Sequence, residues 1–166
     1  DNETMSLFGP IIEALNRHEV TYVIVGGLAV VLHGHSRLTA DIDVVLALDE
    51  ENARRAISAL TGIGLRPRAP VDATLFADAD VRKHWMEEKA MTVFSLVDPA
   101  KPYISVDLFL EPPLPFDDLL AQSEVVSAFG TAVRISSVEH LIAMKSQIGR
   151  AEDRADVEAL KRMKHD

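Results

Sequence analysis

Val23-Ile24-Val25-Gly26-Gly27, and after it Leu38-Thr39-Ala40-Asp41-Ile42-Asp43-Val44-Val45-Leu46, are the stretches that decide the fold. The first is a short β-prone run that stops at two glycines and opens into a short apolar helix, Leu28 to Leu32, closed near Gly34. The second is another strand, Ile42 to Leu48, with two carboxylates at its start. Side chains alternate along a strand, so Asp41 and Asp43 share one side while Ile42 and Val44 take the other. Two carboxylates this close repel each other, and a hard divalent cation with oxygen ligands is the simplest relief. A solvated strand start would also place two aspartates there, but Asp is depleted in strands and this pair runs straight into apolar residues.

A third carboxylate lies in Tyr103-Ile104-Ser105-Val106-Asp107-Leu108-Phe109-Leu110. Alternation puts Ile104, Val106, Leu108 and Leu110 on one face and Ser105, Asp107 and Phe109 on the other. An unpaired aspartate is costly to bury in so apolar a strand. It reads either as part of an exposed face or as a third metal ligand or general base beside Asp43. Three aspartates on two strands suit one or two Mg²⁺ ions and phosphoryl or nucleotidyl transfer. Gly26 and Gly27 let a backbone approach phosphate oxygens. Arg37 and Thr39 precede the acidic pair, and Arg37 offers a bidentate fork for phosphate. No Gly-Lys-Ser/Thr follows the glycines, so this is not a Walker loop. His33 and His35 flank Gly34 without a third ligand nearby and read as loop or surface histidines.

Outward from these strands, helix and strand alternate. Residues 5 to 19 carry Leu7, Phe8, Ile11, Ile12 and Leu15 at helical spacing. Asp49 caps a helix over about Glu50 to Leu60, ended by Gly62 and Gly64. Arg66 to Ala73 reads as irregular, with Pro67 and Pro70, and Ala79 to Glu88 as a helix anchored by Trp85. Thr92 to Val97 and Tyr103 to Leu110 read as an antiparallel hairpin. Pro112, Pro113 and Pro115 break the chain and suggest a core over 20–111 and a mainly helical subdomain over 112–166 of one domain. In the second part a β-prone stretch, Val125 to Ile135, turns at Gly130. Ser136-Ser137-Val138-Glu139 resembles a capping box for a helix through Gln147 with Gly149 as C-cap, and a last helix spans about Asp153 to Lys164. The fold class is therefore α/β (α+β): a mixed or antiparallel sheet flanked by helices, with a helical tail.

The 166 residues are 48% hydrophobic and 26% charged, enough for one domain with a core. There is no cysteine, which excludes a disulfide scaffold and a cysteine-ligated zinc. No apolar run reaches the roughly 18 residues of a membrane span, and Asp1 to Ser6 show no signal pattern, so a cytoplasmic chain without membrane association is expected. Met5 is a candidate start after a short leading remnant. The net charge of -9 argues against broad, sequence-independent nucleic-acid binding but leaves room for a local basic groove.

Gly26-Gly27, Asp41-Ile42-Asp43 and Asp107, separated and in this order, resemble the nucleotidyltransferase superfamily of DNA polymerase β-like fold. Thirteen residues, Leu28 to Ala40, lie between the glycines and Asp41. Within it, Arg37-Leu38-Thr39-Ala40-Asp41-Ile42-Asp43, Leu141-Ile142-Ala143-Met144-Lys145 and Arg150-Ala151-Glu152-Asp153-Arg154-Ala155-Asp156 are similar to the AbiEii-type, toxin-like group. The chain is shorter than full toxins of that type. The resemblance implies Mg²⁺ (or Mn²⁺) on Asp41, Asp43 and Asp107, and an NTP such as ATP held by Gly26, Gly27, Arg37, Thr39 and Lys145. It implies a catalytic part for Lys145, pairing or catalysis for Asp153 and Asp156, and a cognate antitoxin as partner. Three functions follow as expectations: modification of RNA such as a tRNA 3′ end, modification of a small hydroxylated molecule of the antibiotic kind, or a non-catalytic nucleotide-binding module.

Overall fold

The computed structural model describes residues 7–146 and 151–165. Its first helix is α1, Phe8–Arg17, followed by β1, Tyr22–Val25, and α2, Gly26–Leu32. Then come β2, Asp41–Leu46, α3, Glu50–Gly62, and β3, Arg66–Pro67. A 3-10 turn, Ala73–Ala77, leads into α4, Ala79–Lys89, and the hairpin β4, Val93–Asp98, with β5, Lys101–Phe109. The tail holds α5, Phe116–Gln122, the hairpin β6, Glu124–Ala128, with β7, Thr131–Ile135, and the helices α6, Val138–Ser146, and α7, Ala151–His165. No described helix is long and apolar enough to cross a membrane.

One sheet of seven strands runs β3-β4-β5-β2-β1-β7-β6. It is mixed: β2 runs parallel to β5 and β1 parallel to β7, and the other neighbours are antiparallel. The tail hairpin thus extends the sheet of the first half. One face is apolar. Ile24, Ile42, Val44, Leu96, Val106 and Leu108 are all fully buried on it. Phe94 on β4 stacks between Phe76 and Trp85, with ring centroids 5.5 and 5.1 Å away, which fixes the 3-10 turn and α4 against that face. Each such buried side chain contributes about 1.5–3 kcal/mol.

Polar devices set the element ends. Asp49 caps α3 by accepting from the Asn52 N–H at 3.0 Å. Asn52 is itself buried, with its amide accepting from the Thr21 N–H and donating to the Thr21 and Ala47 carbonyls, so one satisfied side chain ties α3 to the start of β1 and the end of β2.

Several boundaries differ from the sequence pattern for identifiable reasons. α1 stops at Arg17, because Glu19 takes a left-handed φ of 55°. Gly26 and Gly27 are not a turn ahead of α2 but its first two residues. Arg66–Pro67 is a short edge strand rather than irregular chain, an arrangement open to proline because no further strand needs its missing N–H. The cap of α6 is Ser137, whose hydroxyl accepts from the His140 N–H at 3.1 Å, one residue later than the capping box placed it. Glu139 pairs instead with Lys164 at 3.0 Å. The expected caps and ends at Met5, Gln147 and Gly149 lie outside the described residues.

Candidate active site

The carboxylates stand on the face of the sheet opposite Ile42, Val44, Val106 and Leu108. Asp41 and Asp43 start β2, and the parallel register sets Asp41 beside Ser105 and Asp43 beside Asp107. Adjacent strands are about 4.8 Å apart, so the third carboxylate comes level with the second. Ser105, buried, holds the group together: its hydroxyl lies 2.8 Å from Asp41 Oδ1 and 3.0 Å from Asp107 Oδ1. A hydroxyl has one proton to give, so it serves one of these carboxylates at a time. Ser95, across from Asp107 on β4, donates to the same Oδ1 at 2.7 Å.

Gly26, the first residue of α2, closes the site at the end of β1. Its φ is +68°, and a Cβ there would stand 2.0 Å from Asp43 Oδ2, so only glycine fits. A Cβ on Gly27 would meet Thr39 Oγ1 at 3.1 Å and Arg37 Cζ at 3.3 Å. The N-cap of α2, Val25, offers no side-chain acceptor to the first-turn N–H groups.

The tail delivers a charged cluster to the same place. Lys145 on α6 is buried and lies 2.9 Å from Asp156 Oδ2 and 3.4 Å from Asp153 Oδ1, both on α7. Arg37 bonds the same Asp156, and His35 Nε2 stands 3.6 Å from its other oxygen. The expected residues Asp41, Asp43, Asp107, Gly26, Gly27, Arg37, Thr39 and Lys145 therefore converge. His33 and His35 do lie in the turn and loop that follow α2, and each has a partner. His33 Nε2 lies 2.8 Å from the Ser136 carbonyl, so both rings tie the end of α2 to the tail. Ser95 carries no signal in sequence, and Ser105 shows only that it shares a face with Asp107. Asp156 was visible only through the family resemblance.

Burial first, and then the charges of Asp107 and Asp41, push the Asp43 carboxyl up to about 7. The charges of Lys145 and Arg37 offset part of this. The carboxylates thus carry more negative charge than their surroundings neutralise, which fits a divalent cation. Among the described residues, no three histidine or acidic side chains form a ready-made protein cage for a metal. The donor set suits Mg²⁺ all the same, because that ion is usually held by one or two carboxylates with substrate phosphates and waters completing the shell.

Comparison with known proteins agrees with this architecture. The lincosamide antibiotic adenylyltransferase LnuA, solved with lincomycin bound, superposes with a TM-score of 0.63 at 21% identity, covering 95% of this chain and 96% of that one. ANT(2″)-Ia in complex with adenylyl-2″-tobramycin gives 0.59 at 16% identity, covering 96% and 88%. An antigenic nucleotidyltransferase-like protein from Paracoccidioides brasiliensis gives 0.61 at 15% identity, covering 98% and 76%. At these identities the likeness is one of fold. No curated protein matches the chain in sequence. The family model described as "Nucleotidyl transferase AbiEii toxin, Type IV TA system" matches residues 12–164, and the chain accordingly belongs to the AbiEii nucleotidyl transferase family.

Proposed function

We propose that the protein transfers a nucleoside monophosphate from an NTP to an acceptor hydroxyl, using a divalent cation, Mg²⁺ or Mn²⁺. The observation that carries this is the register of Asp43 with Asp107 beside the closely fitted Gly26. Asp43 and Asp107, with Asp41 beside them, would hold the cation, which when bound would supply charge neutralisation at the triphosphate. Gly26 and Gly27 would offer backbone N–H groups of the first turn of α2 to phosphate oxygens, with Thr39 and Arg37 close against Gly27. Lys145 and Arg37 bring positive charge to a site where negative charge develops. The acceptor oxygen bonds the α-phosphorus as the bond to the β-phosphate bridging oxygen breaks. Pyrophosphate leaves with that electron pair, and the hydroxyl proton passes to Asp107.

The test is incubation with each labelled NTP, Mg²⁺ and total RNA, and in parallel with a panel of aminoglycosides and lincosamides. Label moves to an acceptor with wild type and falls at least about a hundredfold with Asp43→Asn. If no acceptor is labelled, and NTP affinity is unchanged in Asp41→Ala, a nucleotide-binding module is left instead.

RNA is the first acceptor class, in keeping with the family, and its toxin character would show as growth arrest on expression that a cognate antitoxin relieves. A cytoplasmic location goes with this reading. A cavity of about 490 Å³ favours a second reading. Met86, Met91, Phe109 and Glu111 line it, Phe109 stands two residues from Asp107, and the volume suits a small hydroxylated molecule. Label in the antibiotics rather than in RNA selects it.

A further inference from the structure

The sheet ends differently at its two edges. One edge is β3, two residues long and ending in Pro67. Short strands and prolines keep an edge from pairing with another chain. The other edge is β6, Glu124–Ala128, which has five residues, no proline, no lysine and an unbroken register on β7. Its hairpin closes through Phe129 and Gly130, with φ of 56° and 79°, between the partners Ala128 and Thr131. Two positive φ values in a two-residue loop mark the I′ turn, whose flanking pair exchanges both backbone hydrogen bonds. Ala128, Val126 and Glu124 therefore bond β7, while Val125 and Ser127 aim their N–H and C=O groups away from the sheet. Among the described residues, no backbone hydrogen bond from outside the sheet reaches either of those N–H groups. The Val125 side chain is 55% exposed on this edge.

The edge also complements itself. From Glu124 to Ile135 the hairpin carries one acid, Glu124, and one base, Arg134, in a chain of net charge -9. Two copies can therefore approach here without bringing blocks of like charge together. Glu124 is turned to its own chain, 3.7 Å from His33 Nδ1. Set antiparallel about a two-fold axis at Val126, two β6 strands pair Val125 with the partner's Ser127 and Ser127 with the partner's Val125. These are the residues whose backbone groups point outward. Glu124 then faces the partner's Ala128, so no like charges stand opposite one another. Val126 packs against the core beside the fully buried Val133, and it meets the partner's Val126. We infer that β6 is the interface of a homodimer, in which two copies of the chain join edge to edge into one continuous sheet. β7 and β1 separate this edge from the carboxylate strands, so the dimer stands or falls independently of the transfer reading.

Sedimentation equilibrium of wild type over a dilution series up to about 0.1 mM is expected to show a reversible dimer. Ser127→Pro removes only an outward N–H and sets its ring where the partner strand would lie. It is expected to raise the dimer dissociation constant at least about tenfold, with the monomer still folded by circular dichroism. The chain has no cysteine, so single cysteines report the register. At a non-hydrogen-bonded pair the Cα atoms are about 4.5 Å apart, within the span of a disulfide, and Val126→Cys is expected to oxidise to a covalent dimer. Val125→Cys stands diagonal to its counterpart at about 7–8 Å and is expected to stay largely reduced. A wild type that is monomeric throughout overturns the proposal. So does a dimer that Ser127→Pro leaves unchanged, or one in which Val126→Cys stays reduced. Should Ser127→Pro not fold, the two cysteine variants decide, and equal crosslinking in both overturns it.

Discussion

Gly26 and Asp43 fit so closely that a single added methyl group on the glycine would stand 2.0 Å from the Asp43 carboxylate. The same glycine has a φ of +68°, which L side chains rarely adopt. Gly26→Ala must therefore shift either the start of α2 or the carboxylate. We expect it to abolish transfer and to lower stability by roughly 1–3 kcal/mol, as read from a urea unfolding midpoint. Gly62, where an added Cβ meets nothing within 4 Å, is the control. Gly62→Ala leaves activity intact.

The Asp43 carboxyl, raised from 3.8 to about 7 by burial and its acidic neighbours, makes the metal-free protein sensitive to pH. The folded protein holds that proton more tightly than the unfolded chain does. Its contribution to stability is present below about pH 4 and is lost as pH climbs toward 7. Asp43→Asn removes the burden, so the metal-free variant should melt several degrees above wild type at pH 8 and lose that advantage at pH 4. Melting curves at the two pH values check this, and Mg²⁺ with NTP should narrow the gap at pH 8 by stabilising wild type alone.

Asp156, almost fully buried, serves Lys145, Arg37 and His35 at once. Asp156→Ala leaves Lys145 with Asp153 alone, at 3.4 Å, and takes the carboxylate from Arg37. Breaking a buried pair from one side costs roughly 3–5 kcal/mol. The expected outcome is a large drop in the denaturation midpoint, with the NTP KM raised because both cations lose their placement.

Ser105 and Ser95 aim hydroxyls at Asp107 Oδ1. Ser95→Ala removes one of the two hydroxyls that orient the Asp107 carboxylate and leaves Ser105 alone to hold it. The expected outcome is a loss of kcat/KM on the order of tenfold with little change in Tm. Steady-state transfer rates and melting curves of the variant measure it.

The parts of this site that are legible in sequence are those written in a short window. Asp41 and Asp43 share a face because strands alternate, and the antiparallel hairpin of β4 and β5 follows from two apolar runs around a proline turn. Gly26 carries its meaning in its identity, though its place inside α2 rather than before it needed the backbone. The pairing of β2 with β5 is different. It joins residues 64 apart, so the residues alone leave Asp107 either on an exposed face or beside Asp43, and the family resemblance favours the second. Arg37 with Asp156 spans 119 positions, and nothing local in either segment specifies that contact. β3 escaped notice because two residues, one of them proline, have no period to read. The capping box failed by one residue because Ser136 and Ser137 offer the same hydroxyl, and the Ser136 N–H is already spoken for by the Ile24 carbonyl.

The central claim is that Asp43 and Asp107 share a divalent cation with the triphosphate. Electron paramagnetic resonance titration of Mn²⁺ into the protein with a non-hydrolysable NTP analogue measures this without relying on any acceptor. The account predicts saturable Mn²⁺ binding in wild type, weakened at least about tenfold by either Asp43→Asn or Asp107→Asn. Unchanged Mn²⁺ affinity in both variants, with each still folded, would contradict it.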